Sequence, residues 1–183
     1  MEITVPDGWR SLEQDAGEFT LWSTTHPTDH IFMARDIAAV ATDGSMQVLS
    51  SIPRTADGLE AYWRGDPSLD VSPAQRTTIA DGIEATTFLI RVSEDADFLL
   101  TDCPGYPRCA DFFTDPEHWG GGVYGIAAPA AVRLFLVTIG SANDEHLLVI
   151  GLEAEDDQAL ERLTADAEPI IASIRLPEEL VDW

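Results

Sequence analysis

Apolar residues occupy odd and even positions alike in two stretches, Val132 to Ile139 (VRLFLVTI) and His146 to Leu152 (HLLVIGL). A strand tolerates that pattern only when both of its faces are covered, so both stretches are expected as interior strands of a sheet. After Gly151 the period becomes helical: Leu160, Leu163, Ala167, Ile170 and Ile171 recur on one face, and Asp157, Glu161, Arg162, Asp166 and Glu168 on the other. The apolar face must lie on the sheet. This helix is expected from about Asp156 to Glu168, with Pro169 restarting its last turn and Ile174 to Leu176 returning to pair.

Upstream, Glu18 to Thr24 alternates as a strand does, Ile31 to Met33 begins an extended piece that continues through Ile37 to Val40, and Met46 to Ile52 (MQVLSSI) is expected as a further strand. A short helix follows, with Asp57 as N-cap, Glu60 three residues on, Leu59, Tyr62 and Trp63 as its apolar face and Gly65 as its stop. Asp66 to Pro73 carries two prolines and is expected as loop. The Asp81-Gly82 dipeptide predicts a hairpin whose return strand is Ile83 to Val92. Ser93 to Gly122 is the least regular region, and Val123 to Ala127 restarts the sheet. Short turns join most of these strands, which makes them antiparallel. The predicted class is α+β: one domain spanning residues 1–183, with a central antiparallel sheet of about six to eight strands and helices on both faces.

Charge narrows the partners. Acidic residues outnumber basic ones 33 to 10, a net charge of −23, and every cation is an arginine because the sequence contains no lysine. Such a surface repels phosphate backbones and anionic lipid, which argues against nucleic acid and anionic membranes. No run of 18 apolar residues is present, so no membrane insertion of this chain is expected. The two cysteines, Cys103 and Cys109, lie in CPGYPRC, whose prolines and glycine suit a tight loop. A disulfide closing it would stabilise the fold by roughly 2 to 3 kcal/mol on the chain-entropy model and would imply an oxidising compartment; the alternative is two unpaired thiols in a cytoplasmic protein.

Candidate chemistry is sparse. Asp95, Asp97 and Asp102 could form an oxygen-rich Ca²⁺ loop, but the EF-hand spacing is missing and solvated charge is the expectation. His26 and His30 flank Asp29 in HPTDH, where Pro27 disfavours the helix that would converge them, so surface histidines are expected. His118 and His146 read as hydrogen-bonded structural residues. Gly120 to Gly122 lacks the continuation of a phosphate loop, and no cofactor motif occurs. The aromatic residues Tyr106, Phe112, Phe113, Trp119 and Tyr124 either form a satellite core or present a contact patch. They are taken as the interaction loop.

Several segments together carry a resemblance: the PDGW turn near the start, the short first helix, the hairpin TIADGIEATTFLIRV, the strands VRLFLVTIG and HLLVIGLEA, and the ending AEPIIASIRL. This layout resembles the PsbP-like domains, similar in fold to the extrinsic photosystem subunit and to the yeast Ran-binding import factor, and most of all their actinobacterial extracytoplasmic versions. The resemblance implies a noncatalytic binding, sensor or accessory domain outside the cytoplasm, trimmed from a longer anchored or secreted protein. Its ligand would be a protein or a small molecule, and the domain would be a monomer or weak dimer with no cofactor. The competing expectation is a hydrolase that uses carboxylates or a metal in a pocket beside the sheet.

Overall fold

A computed structural model describes residues 2–13, 18–96, 106, 108–119, 122–141 and 144–176. Along the chain, β1 (Trp9–Glu13), β2 (Glu18–Ser23), β3 (His30–Arg35) and β4 (Ala38–Ala39) precede helix α1 (Ala56–Gly65). Then come β5 (Leu69–Val71), β6 (Gln75–Thr78), β7 (Glu84–Val92), β8 (Cys109–Thr114), β9 (Tyr124–Ala127), β10 (Ala131–Ser141), β11 (Asp144–Ala154) and helix α2 (Asp157–Ala172). The main sheet runs β1-β2-β3-β11-β10-β7-β5, with β6 pairing further along β7, and β4-β8-β9 form a second, three-stranded sheet. Strands pair antiparallel throughout both sheets.

The doubly apolar stretches are the central strands β10 and β11, joined in an eleven-pair register from Ala131↔Ala154 to Ser141↔Asp144. Alternation along them sorts the core into two. Val132, Leu134 and Leu136 of β10 and Leu147 and Val149 of β11 join Phe32, Phe88 and Ile90 beneath α1 and the small sheet. Val137, Ile139, Leu148, Ile150 and Leu152 point the other way and meet Leu160, Leu163, Ala167 and Ile170 of α2. The helices therefore cover opposite faces, α1 sharing its side with the small sheet. Trp63 of α1, fully buried, donates its indole N–H to the Phe112 carbonyl at 3.2 Å, and the Tyr62 hydroxyl donates to the Val40 carbonyl at 2.8 Å. These bonds seat α1 beside β8 and the end of β4.

Several local expectations change. α1 is capped by Thr55 and not by Asp57: Thr55 holds extended backbone and its hydroxyl accepts from the Gly58 N–H. Glu60 consequently does not close a capping box, and pairs with Arg64 one turn on. The extended piece from Ile31 to Val40 breaks at Asp36, whose φ of 53° turns the chain from the main sheet into the small one. Asp36 holds this corner by accepting from the Leu147 N–H at 2.9 Å and contacting His146 Nδ1 at 2.8 Å.

Met46 to Ile52 is not a strand. Met46 sits at φ 54° after the Asp43 turn, and the segment keeps a single bridge, Val40↔Val48, with Met46 and Val48 exposed. Leu69 to Val71 pairs with β7 inside the expected loop. The irregular region contains β8, whose six residues are all buried. α2 continues through Pro169 to Ala172, with Asp156 as its N-cap. The Asp81-Gly82 hairpin forms as expected, Gly82 taking a φ of 82° in a short 3-10 turn between β6 and β7.

Where β11 crosses under the small sheet, Gly151 lies opposite Phe32 of β3, and a Cβ there would collide with the Phe32 ring. Gly151→Ala is expected to destabilise the domain by about 1–3 kcal/mol, the usual cost of overpacking. The measurement is the urea midpoint at unchanged m-value. Adding Phe32→Leu should recover much of the loss, and a midpoint equal to that of the parent chain would show that the ring yields freely.

Candidate functional site

Residues directly opposite one another in a sheet share a face. The register sets Trp22 against His30 and His30 against Glu153, so three polar-edged side chains form a row across β2, β3 and β11. They lie on the face that carries Phe32, Val149 and Gly151, at the end where cover by the small sheet gives out. Burial of the apolar neighbours is complete while Glu153 keeps 19 % of its side chain exposed.

Tyr124, at the start of β9, joins the two sheets at this point. Its ring stacks on Phe113 with centroids 4.9 Å apart and 10° between planes, and it packs against Phe32 at 4.6 Å. The phenol then reaches past Phe32 and donates its hydroxyl hydrogen bond to Glu153 Oε2. His30 Nε2 lies 3.2 Å from the same hydroxyl and 3.7 Å from Glu153 Oε2. Trp22 stacks on His30, with ring centroids 4.4 Å apart and planes 22° from parallel. The Trp22 indole nitrogen is buried and has no hydrogen-bond partner among the described residues.

Burial pushes the Glu153 carboxyl above the ordinary glutamate range, opposed by the nearby His30 and by the hydrogen bond from Tyr124. A carboxyl raised in this way gives up its proton less readily than an exposed glutamate, and when ionised it attracts a positive group. In front of it opens a pocket of about 520 Å³, bounded by Trp22, His30 and Glu153, by Pro27 of the β2–β3 turn, and by Tyr106 and Pro129 at the mouth. A second cavity of similar size lies beside α2, lined by Ile79, Phe135 and Ile171 among others, with Glu161 and Glu168 on it.

The residues expected as sites are distributed differently. Phe112 and Phe113 are fully buried and belong to the core, which removes them from any surface patch. Trp119 and Tyr124 are partly buried and packed against that core, whereas Tyr106 is 52 % exposed. Asp95 is exposed in a turn, and Asp97 and Asp102 lie outside the described residues, as do Gly120 and Gly121. Among the described residues no three His, Cys, Asp or Glu side chains come together as a metal site. Cys109 is buried at the start of β8 and is not a free thiol, and Cys103 lies outside the described residues.

His118 and His146 are hydrogen-bonded to Asp115 and Asp36, in keeping with structural roles. His30 is the reverse of the surface histidine expected of it: only 8 % exposed, it belongs to the pocket. No motif in the sequence singles out Glu153. Its signal was a carboxylate two residues beyond Gly151, on a strand whose other inward positions are apolar or glycine.

No protein-family model and no curated protein matches the chain in sequence. In structure it is similar to LpqN of Mycobacterium tuberculosis, a protein described as involved in cell envelope biogenesis. The TM-score is 0.50 at 17 % identity, over 93 % of this chain and 79 % of that one. At that identity the likeness concerns the fold.

A folded-state carboxyl pKa above the unfolded value of about 4.3 sets a sign for stability. The buried carboxyl adds no penalty below the unfolded value. It destabilises increasingly as pH rises toward the folded value, and constantly above it. Glu153→Gln keeps an acceptor for Tyr124 without the charge. Thermal melts of both proteins across pH should therefore show the variant gaining on the parent as pH rises from about 4. A difference independent of pH would assign Glu153 an ordinary titration.

Proposed function

We propose that this is a noncatalytic binding or accessory domain that works outside the cytoplasm, and that the pocket between Trp22, Tyr106 and Glu153 receives a small ligand or a side chain of a protein partner. The observation that carries the reading is the pocket itself: aromatic and proline walls around a few convergent polar groups, the usual build of a small-molecule site. Tyr106 is the one residue of the expected interaction loop that remains well exposed, and it stands at the mouth. Support for the compartment comes from the envelope role given to LpqN and from the PsbP-like layout of the sequence. No helix among the described residues is long and apolar enough to cross a membrane. The domain acts as a monomer or weak dimer on this reading.

Pairing of Cys103 with Cys109 belongs to the same proposal, because a disulfide in so short a loop persists only where thiols are oxidised. Alkylation of the unfolded, unreduced protein, followed by mass measurement, should label neither cysteine. Two labels per chain would remove the compartment argument.

One observation favours the hydrolase reading: Glu153 has its pKa raised by burial and stands beside His30, the setting of a general acid or base. The two readings separate in one experiment. A fragment screen by ligand-observed NMR, with hits mapped on the labelled protein, should move the Trp22 indole and the Gly125, Ala127 and Ala130 amides, and Trp22→Ala should abolish the amide shifts. Hits confined to the cavity beside α2 would contradict the binding reading. Turnover of nitrophenyl esters or glycosides that is lost in Glu153→Gln would make the domain an enzyme.

A further inference from the structure

The pocket's own chemistry narrows what it can hold, and the inference rests on the binding reading above. Apart from the His30 imidazole, its charged lining residues are both carboxylates, Glu153 and the exposed Glu155. No arginine lines it, and the chain has no lysine. Arg10 opposes Trp22 on β1 but is not part of the lining. An anion entering here would lose its water beside two carboxylates, on a protein of net charge −23, with no arginine or lysine in the wall.

The lining's hydrogen-bond donors are engaged within the protein: His30 sets Nε2 3.2 Å from the Tyr124 hydroxyl and Nδ1 3.5 Å from the Thr28 carbonyl, and the Thr28 hydroxyl faces Asp29. The Tyr124 hydroxyl is committed to Glu153, and the Trp22 indole N–H is buried away from the cavity although Trp22 lines it. What Trp22 offers an occupant is π surface. Tyr106 at the mouth offers a second ring. A polyol would find carboxylates to donate to and little to accept from. A positive group finds everything it needs: ring faces, which attract cations through their quadrupole, and carboxylates to balance its charge.

We propose that the pocket binds the head of an organic cation, an ammonium or guanidinium group on a small apolar body. The cation sits against Trp22 and Tyr106 with Glu153 and Glu155 as its counter-charges. Pro27, Pro129 and Ala130 take the apolar body.

Choline and its uncharged isostere 3,3-dimethylbutan-1-ol test this, because they share a shape and differ in charge. Binding is followed at pH 8 through the Trp22 indole resonance, assigned by comparison with Trp22→Phe. Choline should bind at least tenfold more tightly than the isostere, a ratio in the range of a partly desolvated cation–π contact. Glu155→Gln and Tyr106→Ala alter exposed residues, so folding is not at issue; each should weaken choline severalfold, and Glu155→Gln should leave the isostere unchanged. Equal binding of both probes at Trp22 overturns the cation and leaves the pocket as a small-ligand site. No shift with either probe also overturns the cation, and the fragment screen then decides separately whether the pocket binds anything.

Discussion

Everything in this domain depends on β10 and β11 being apolar on both faces. A sheet with one wet face could have closed with a single helix, as many antiparallel sheets do. Here the alternation leaves Val149 and Ile150, neighbours in sequence, each fully buried on opposite sides. Two covers are therefore obligatory. α2 follows β11 directly and supplies one. The other is assembled from α1 and from β4, β8 and β9, segments far apart in sequence that make a second small sheet instead of a second long helix.

That composite cover leaves the end of β11 unsealed, where Glu153 keeps part of its side chain exposed and lines the pocket. Along β11 the positions facing the small sheet are Leu147, Val149, Gly151 and Glu153. The first three are dry, and the fourth lies where protein ends and solvent begins. An unpaired carboxylate in the interior is strongly disfavoured. Glu153 is tolerable because Tyr124 donates to it and His30 stands close, with the remaining exposure opening into the pocket. The hydrogen bond from Tyr124 thus settles a buried charge and fastens one sheet to the other.

The sequence announces this fold more clearly than this site. The double-faced strands, the amphipathic α2, the α1 stop and the Asp81-Gly82 hairpin follow from local periodicity and turn chemistry, and the structure has each of them. Failures cluster where tertiary contacts decide. Met46 to Ile52 has strand composition but only Val40 to bridge with, and β8 looked irregular because its identity as a strand comes from β4 and β9 on either side. Thr55 outcompetes Asp57 as a cap because the Pro53–Thr55 entry places its hydroxyl over Gly58. His30 and Glu153 are 123 residues apart and meet only through strand register, which no motif spells out.

Gly151 and Phe32 form a lock between neighbouring strands, one residue lacking a side chain and the other filling the space left over it. A side chain at position 151 is accommodated at least cost where the residue at position 32 is smaller than phenylalanine, which couples the two sites. The constraint runs one way: a side chain at 151 calls for a smaller residue at 32, whereas a smaller residue at 32 asks nothing of 151.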